Sequence, residues 1–179
     1  MTCIIGLVHK GTVYMGGDSA GVSEYFINSR VDPKVFIKDN MLFGFTDSFR
    51  MGQILQTLFE VPKPPAHGPY YTYMCTTFIK SLISCFETNK YISYDKHRAA
   101  GGTFLVGYDG ELFTIESDFQ VAVNQKPYCT CGSGREFAMG AMYALSRYNI
   151  EPETKIKLAL DATSEFCTTV CKPYTILSL

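Results

Sequence analysis

The strongest constraint on the fold lies at the start of the chain, where two apolar runs flank a short turn: CIIGLV over Cys3 to Val8, then His9-Lys10-Gly11-Thr12, then VYMGGD. A half-exposed strand alternates apolar and polar residues, and these runs do not, so the pattern predicts a hairpin buried on both faces. Such a pair needs one layer above it and another below. With Lys10-Gly11 as the turn, His9 faces Thr12, and the same register carried along sets Cys3 opposite Asp18. An acidic residue at the end of an apolar strand needs a partner if it is buried, and Lys34, at the entrance to the next strand, is the candidate.

The rest of the chain supplies the layers. Lys34 to Ile37 and Met41 to Phe45 form a second strand pair, joined by Lys38-Asp39-Asn40. Asp47 or Ser48 then caps a helix in which Met51, Leu55 and Leu58 recur at helical spacing. It stops at Glu60, before VPKPPAHGPY, where four of the chain's eight prolines make a stiff loop. A helix from Tyr71 to Phe86 carries Met74, Phe78, Leu82 and Phe86 on one face. After a polar stretch from Thr88 to Ala100, GGTFLVGYDGELFTIES gives two strands around Asp109-Gly110, a dipeptide suited to hairpin turns. A strand follows over Gln120 to Asn124. Gly132-Ser133-Gly134 opens a helix with Ala138, Ala141, Met142 and Leu145 on one side, and Pro152 begins another at its permitted first-turn position. A strand from Tyr174 to Leu177 closes the chain. Strand pairs followed by helices, twice over, predict a layered α+β fold in a single domain over 1–179, with no phosphate-loop signature and no repeat.

Composition narrows the function. The 179 residues carry 16 Lys plus Arg against 17 Asp plus Glu, a net charge of -1, so the basic excess that a nucleic-acid backbone selects is missing. No apolar run approaches the roughly 18 to 20 residues of a membrane span. The opening MTCIIGLVHK has neither a basic n-region nor a small-residue cleavage site, and the expectation is a cytoplasmic protein. Seven cysteines, an odd number without a secretory signal, point to free thiols. Cys129-x-Cys131 and Cys167-x3-Cys171 lack the paired spacing of zinc ligands, and His9, His67 and His97 are scattered singly; no metal and no cofactor are expected.

Removal of Met1 would leave Thr2 with a hydroxyl and a free α-amine on adjacent atoms, a nucleophile with its own base. An α-amine has an ordinary pKa of about 7.7 to 8.0, so it can take the hydroxyl proton near neutrality. A Lys34 ammonium nearby would disfavour protonation of the amine and favour the alkoxide, with Asp18 holding the lysine charged and oriented. Cys3, next to Thr2, would gain an amine only after a further cleavage and is assigned to the strand's core. Each residue also has a plain structural account: Thr2 as a frayed terminus, Asp18 as a turn residue, Lys34 as a solvated strand entrance, Ser133 as a helix cap.

Taken together, these residues resemble the N-terminal nucleophile hydrolases of the proteasome β-subunit type, including the bacterial HslV peptidase. The resemblance covers nearly the whole chain and rests on Thr2 with Gly16-Gly17-Asp18-Ser19, on Lys34-Val35, on Gly107-Tyr108-Asp109-Gly110 and on Gly132-Ser133-Gly134. It implies a four-layer αββα sandwich with its active site at one mouth between the sheets, in a subunit that assembles into a homo-oligomeric ring. It further implies hydrolysis of peptides or unfolded proteins through an acyl-enzyme on Thr2, with a backbone N–H stabilising the oxyanion. Carried over without gaps, that donor is Ser48, with Thr46 and Asp47 beside it on the substrate-binding edge. Ser133 would bond the threonine amine and relay a proton, Glu165 would support it where the family has an aspartate, and Thr168 falls at a neighbouring hydroxyl position. Ser48 stands where glycine is usual, Ala20 replaces a common basic residue, and Glu165 is one methylene longer than aspartate. Asp47 either caps its helix or favours basic side chains in the substrate. Feeding folded proteins to such a ring would require a separate AAA+ ATPase. Two rival functions share the fold: a ring or scaffold subunit without catalysis, and an amidase acting on a small amide.

Overall fold

The opening hairpin sets the architecture. β1 (Cys3–His9) and β2 (Thr12–Gly17) pair antiparallel with His9 opposite Thr12 and Ile4 opposite Gly17. Their turn, Lys10-Gly11, takes positive φ at both residues, which matches the twist of the strands it joins. The computed structural model describes residues 2–95 and 98–179; Met1 and His97 lie outside the described residues.

Along the chain, β3 (Ala20–Ser23) and β4 (Phe26–Ser29) form a small hairpin, and β5 (Val35–Lys38) and β6 (Met41–Phe45) pair across an Asp39-Asn40 turn. α1 spans Phe49–Thr57, and its N-cap is Ser48, whose Oγ accepts from the Arg50 N–H at 3.1 Å. A long helix follows in three parts, α2 (Tyr70–Tyr73), a π-helical turn over Met74–Phe78 and α3 (Ile79–Thr88). Its stripe is as expected, with Met74, Phe78, Leu82 and Phe86 fully buried. The polar stretch that follows contains a short pair, β7 (Ser93–Asp95) and β8 (Arg98–Ala100). β9 (Phe104–Tyr108) and β10 (Glu111–Ile115) turn at Asp109-Gly110, and β11 (Val121–Val123) and β12 (Tyr128–Gly132) precede α4 (Arg135–Leu145), α5 (Pro152–Phe166) and β13 (Thr175–Ser178).

Two sheets stack face to face. One has the order β12-β1-β2-β13 and the other β11-β10-β9-β6-β5. Ile4, Val13 and Met15 from the first meet Val35, Leu42, Leu105 and Leu112 from the second. The outer face of the first sheet buries Cys3, Ile5 and Leu7 against Ala138 and Met142 of α4 and Ile156, Ala159 and Leu160 of α5. The outer face of the second buries Phe43, Phe104 and Phe113 against Met51 and Ile54 of α1 and Phe78 and Leu82 of the long helix. The order is therefore helices, sheet, sheet, helices, and β1 and β2 are covered on both faces, as their unbroken apolar runs require. Burying that much apolar surface on each inner strand, at about 25 cal/mol per Å², is the main term holding the layers together.

Five strands, β3, β4, β7, β8 and β12, were not expected from the sequence. β4 is exposed along its whole length and so carries no burial pattern, β7 and β8 are three residues each, and β12 alternates cysteines with Thr130 on the rim of the sheet. Leu58, expected on the buried face of α1, lies just past its end and is 46% exposed.

Candidate active site

The register of the first hairpin delivers Asp18 to the chain's start. The Asp18 N–H reaches the Cys3 carbonyl at 3.4 Å, and the Cys3 N–H returns to Asp18 Oδ1 at 2.9 Å. The second carboxylate oxygen accepts from the Ala20 N–H at 2.8 Å. Lys34 Nζ donates to both oxygens at 3.0 Å, and both side chains are fully buried. Two backbone donors and an ammonium together hold the carboxylate in place, which is what makes a buried charge tolerable. Burial pulls the Lys34 ammonium below its ordinary pKa, and the charge and hydrogen bonds of Asp18 push it back up. Cys3 is a core thiol, pushed up to about 12 by burial first and the Asp18 charge second, and so is no nucleophile near neutrality.

Thr2 itself is 3% exposed. Its nitrogen donates to Ser133 Oγ at 3.0 Å, and its carbonyl accepts from the Gly134 N–H at 3.2 Å and lies 3.3 Å from Ser133 Oγ. This docking depends on Gly132, whose φ is +92° and where a Cβ would stand 2.3 Å from the Thr2 carbonyl oxygen. Ser133 Oγ meets Thr169 Oγ1 at 2.8 Å, and Thr169 Oγ1 meets Cys167 Sγ at 3.2 Å.

The edge facing the second sheet is built by 46–48. Thr46 is buried, and both its N–H, at 3.2 Å, and its hydroxyl, at 2.7 Å, donate to the Thr103 carbonyl. Asp47 is exposed at φ +60°, and its carboxylate accepts from the Thr103 N–H at 2.8 Å. The Asp47 carboxylate therefore braces the neighbouring segment and does not cap α1. Across this sharp turn the Ser48 N–H donates to the Thr46 carbonyl at 2.7 Å. A cleft of about 400 Å³ opens here, lined by Thr2, Thr46, Asp47, Ser133, Arg135 and Glu136. A smaller recess of about 40 Å³ runs from Thr2 toward Val22, Phe45 and Phe49.

Of the residues singled out from the sequence, Thr2, Asp18, Lys34, Ser133, Thr46, Asp47 and Ser48 gather at this mouth between the sheets. Glu165 does not join them: it is exposed near the end of α5, and Thr168 is exposed beyond it. The hydroxyl that meets Ser133 belongs to Thr169, one residue later than the gapless placement. Thr168-Thr169 was the only signal for it, and spacing alone does not choose between two adjacent hydroxyls. Among the described residues no group of three or more His, Cys, Asp or Glu is placed to hold a metal ion, and no helix is long and apolar enough to cross a membrane.

A family model described as "Proteasome subunit" matches residues 1–172. The chain belongs to the proteasome subunit family. Its fold is also that of several solved structures. BPH of Thiobacillus denitrificans superposes with a TM-score of 0.84 at 20% identity, over 99% of this chain and 97% of that one. The same protein in complex with epoxomicin gives 0.82 at 19% identity, over 99% and 98%. Eukaryotic HslV from Trypanosoma brucei gives 0.71 at 17% identity, over 99% of both chains. No curated protein sequence matches the chain. The αββα sandwich is thus the fold of the proteasome family, matched over residues 1–172, and the cleft beside Thr2 opens between its two sheets.

Proposed function

We propose that this proteasome-family chain is a threonine peptidase subunit in which Thr2, freed by removal of Met1, is the nucleophile. The observation that carries the reading is that Thr2, at the wall of an open cleft, meets the Ser133 hydroxyl with its nitrogen while the next residue's N–H is bonded to the buried Asp18–Lys34 ion pair. The α-amine accepts the Thr2 hydroxyl proton, helped by the Lys34 charge, which favours the alkoxide and disfavours the ammonium. The alkoxide attacks the scissile carbonyl, the amine passes its proton to the leaving nitrogen, and an ester to Thr2 remains. Water activated by the same amine then hydrolyses the ester. Ser133, bonded to the Thr2 nitrogen, fixes the rotation of the amine so that its lone pair meets the hydroxyl.

The oxyanion donor in this reading is the Ser48 N–H. It is turned onto the Thr46 carbonyl at 2.7 Å, so substrate binding must exchange that acceptor for the developing oxyanion. Asp47, on the rim of the cleft, favours basic side chains in the substrate. The chain acts as one domain, assembles into a homo-oligomeric ring that confines peptides or unfolded proteins, and works in the cytoplasm with a separate AAA+ ATPase where folded proteins must be opened. The family membership and the epoxomicin complex of the Thiobacillus protein support a peptidase over a small-amide hydrolase or an inert ring subunit. Turnover of unfolded casein and of short fluorogenic peptides tests the proposal: Thr2→Ala is expected to abolish both while the assembly stays the same size by light scattering. Residual turnover in that variant would assign the activity to another nucleophile.

A further inference from the structure

On the outer side of Thr2, polar contacts run in one line through three side chains: from the Thr2 nitrogen to Ser133 Oγ at 3.0 Å, on to Thr169 Oγ1 at 2.8 Å, and on to Cys167 Sγ at 3.2 Å. Cys167 caps the C-terminus of α5, where its N–H donates to the Thr163 carbonyl at 2.9 Å, and its own carbonyl accepts from the Val170 N–H at 3.1 Å. The backbone that carries the thiol is thus bonded on both sides, and the residue is half-buried. We propose that Cys167 is a positioning residue for the Thr2 amine, acting through Thr169 and Ser133; the inference rests on the reading of Thr2 as nucleophile.

The argument is one of proton direction. Each hydroxyl in the line has a single proton and two acceptor lone pairs, and a thiol is a weak donor and a weak acceptor. With the sulfur accepting, the Thr169 proton is drawn outward. Thr169 then presents a lone pair to Ser133, whose proton points to Thr169 at 2.8 Å in preference to the Thr2 carbonyl at 3.3 Å. That leaves the Ser133 lone pair facing the Thr2 nitrogen, which donates to it. The amine is held in one rotamer, with its lone pair turned toward the hydroxyl whose proton it takes. Without the sulfur, Thr169 donates to Ser133 and the Ser133 proton swings toward Thr2, where it competes for the amine lone pair. Hydrogen bonds in such a line polarise one another, so the effect of the last group is felt at the first.

The test is steady-state peptide hydrolysis by Cys167→Ala, Cys167→Ser, Thr169→Val and the Cys167→Ala/Thr169→Val double variant, with Thr2→Ala run beside them. Losing one relayed hydrogen bond is expected to lower kcat about 5- to 10-fold in Cys167→Ala with KM unchanged. Cys167→Ser, which keeps an acceptor, is expected to restore it. The double variant is expected to be no slower than Thr169→Val alone, because both changes cut the same line. A Cys167→Ala enzyme with the parent kcat, or a double variant whose losses multiply, overturns the inference. If Thr2→Ala is inert in the same assay while Cys167→Ala is unimpaired, the inference fails and the nucleophile stands. If Thr2→Ala still turns over, the nucleophile itself fails. A thermal unfolding midpoint for each variant separates a lost relay from a loosened α5 terminus.

Discussion

The two flanks of Thr2 are built in opposite ways. On the inner flank, Asp18 and Lys34 have no exposed side-chain surface and are fixed by strand register, since Asp18 follows the last residue of β2 and bonds Cys3, and Lys34 precedes β5. On the outer flank, Ser133 is exposed, Thr169 and Cys167 are half-buried, and the contacts come from a helix end and two loops. The inner flank is part of the sandwich's own stability, because its ion pair cannot be dismantled without leaving a charge in the core. The outer flank holds polar groups that water can reach, so it can be altered with little effect on folding. A site made this way separates charge from proton traffic. In the proposed mechanism the buried pair would set the electrostatics of the amine, and the hydroxyl line its orientation.

That contrast predicts where substitutions act. Asp18→Ala strands the Lys34 ammonium and removes the acceptor of the Cys3 and Ala20 N–H groups, so it is expected to cost about 3 to 5 kcal/mol of stability, read by denaturant unfolding. Activity lost without loss of stability would mean that the pair is catalytic only. Ser133→Ala should do the reverse, lowering kcat on the order of 100-fold, the scale of a lost proton-handling group, with the unfolding midpoint unchanged. A matching fall in stability would erase the distinction between the flanks. Asp47→Asn is expected to be the mildest change. It keeps an acceptor for the Thr103 N–H and a residue that tolerates positive φ, and removes only an exposed charge. The ratio of kcat/KM for a basic over an acidic peptide is expected to fall by about 5-fold, as for a solvent-screened charge pair. An unchanged ratio would leave Asp47 a purely structural brace.

The same contrast explains what the sequence made legible. Unbroken apolar runs and a two-residue turn dictate the hairpin, and its register carries Asp18 to Cys3 without further information. The i, i+4 stripe of the long helix and the Asp109-Gly110 turn read equally well, because periodicity and turn chemistry act locally. The hydroxyl line does not, because it depends on where α5 ends and how the loop after Cys167 folds back. A one-residue difference there exchanges Thr168 for Thr169 and leaves Glu165 in solvent. The Ser48 N–H is similar. Its engagement with the Thr46 carbonyl follows from the positive φ of Asp47, whose carboxylate is drawn to Thr103, just before β9 and distant in sequence, and so is unavailable as a helix cap.

The central claim is that a free-amine Thr2 is the nucleophile, and intact mass before and after treatment with an epoxyketone, a warhead that closes a ring with both the hydroxyl and the amine of an N-terminal threonine, tests it most directly. Protein lacking Met1 is expected to gain the mass of one adduct per chain, and Thr2→Ala none. A chain lacking Met1 that gains no mass, or equal labelling of chains that keep Met1, would contradict it.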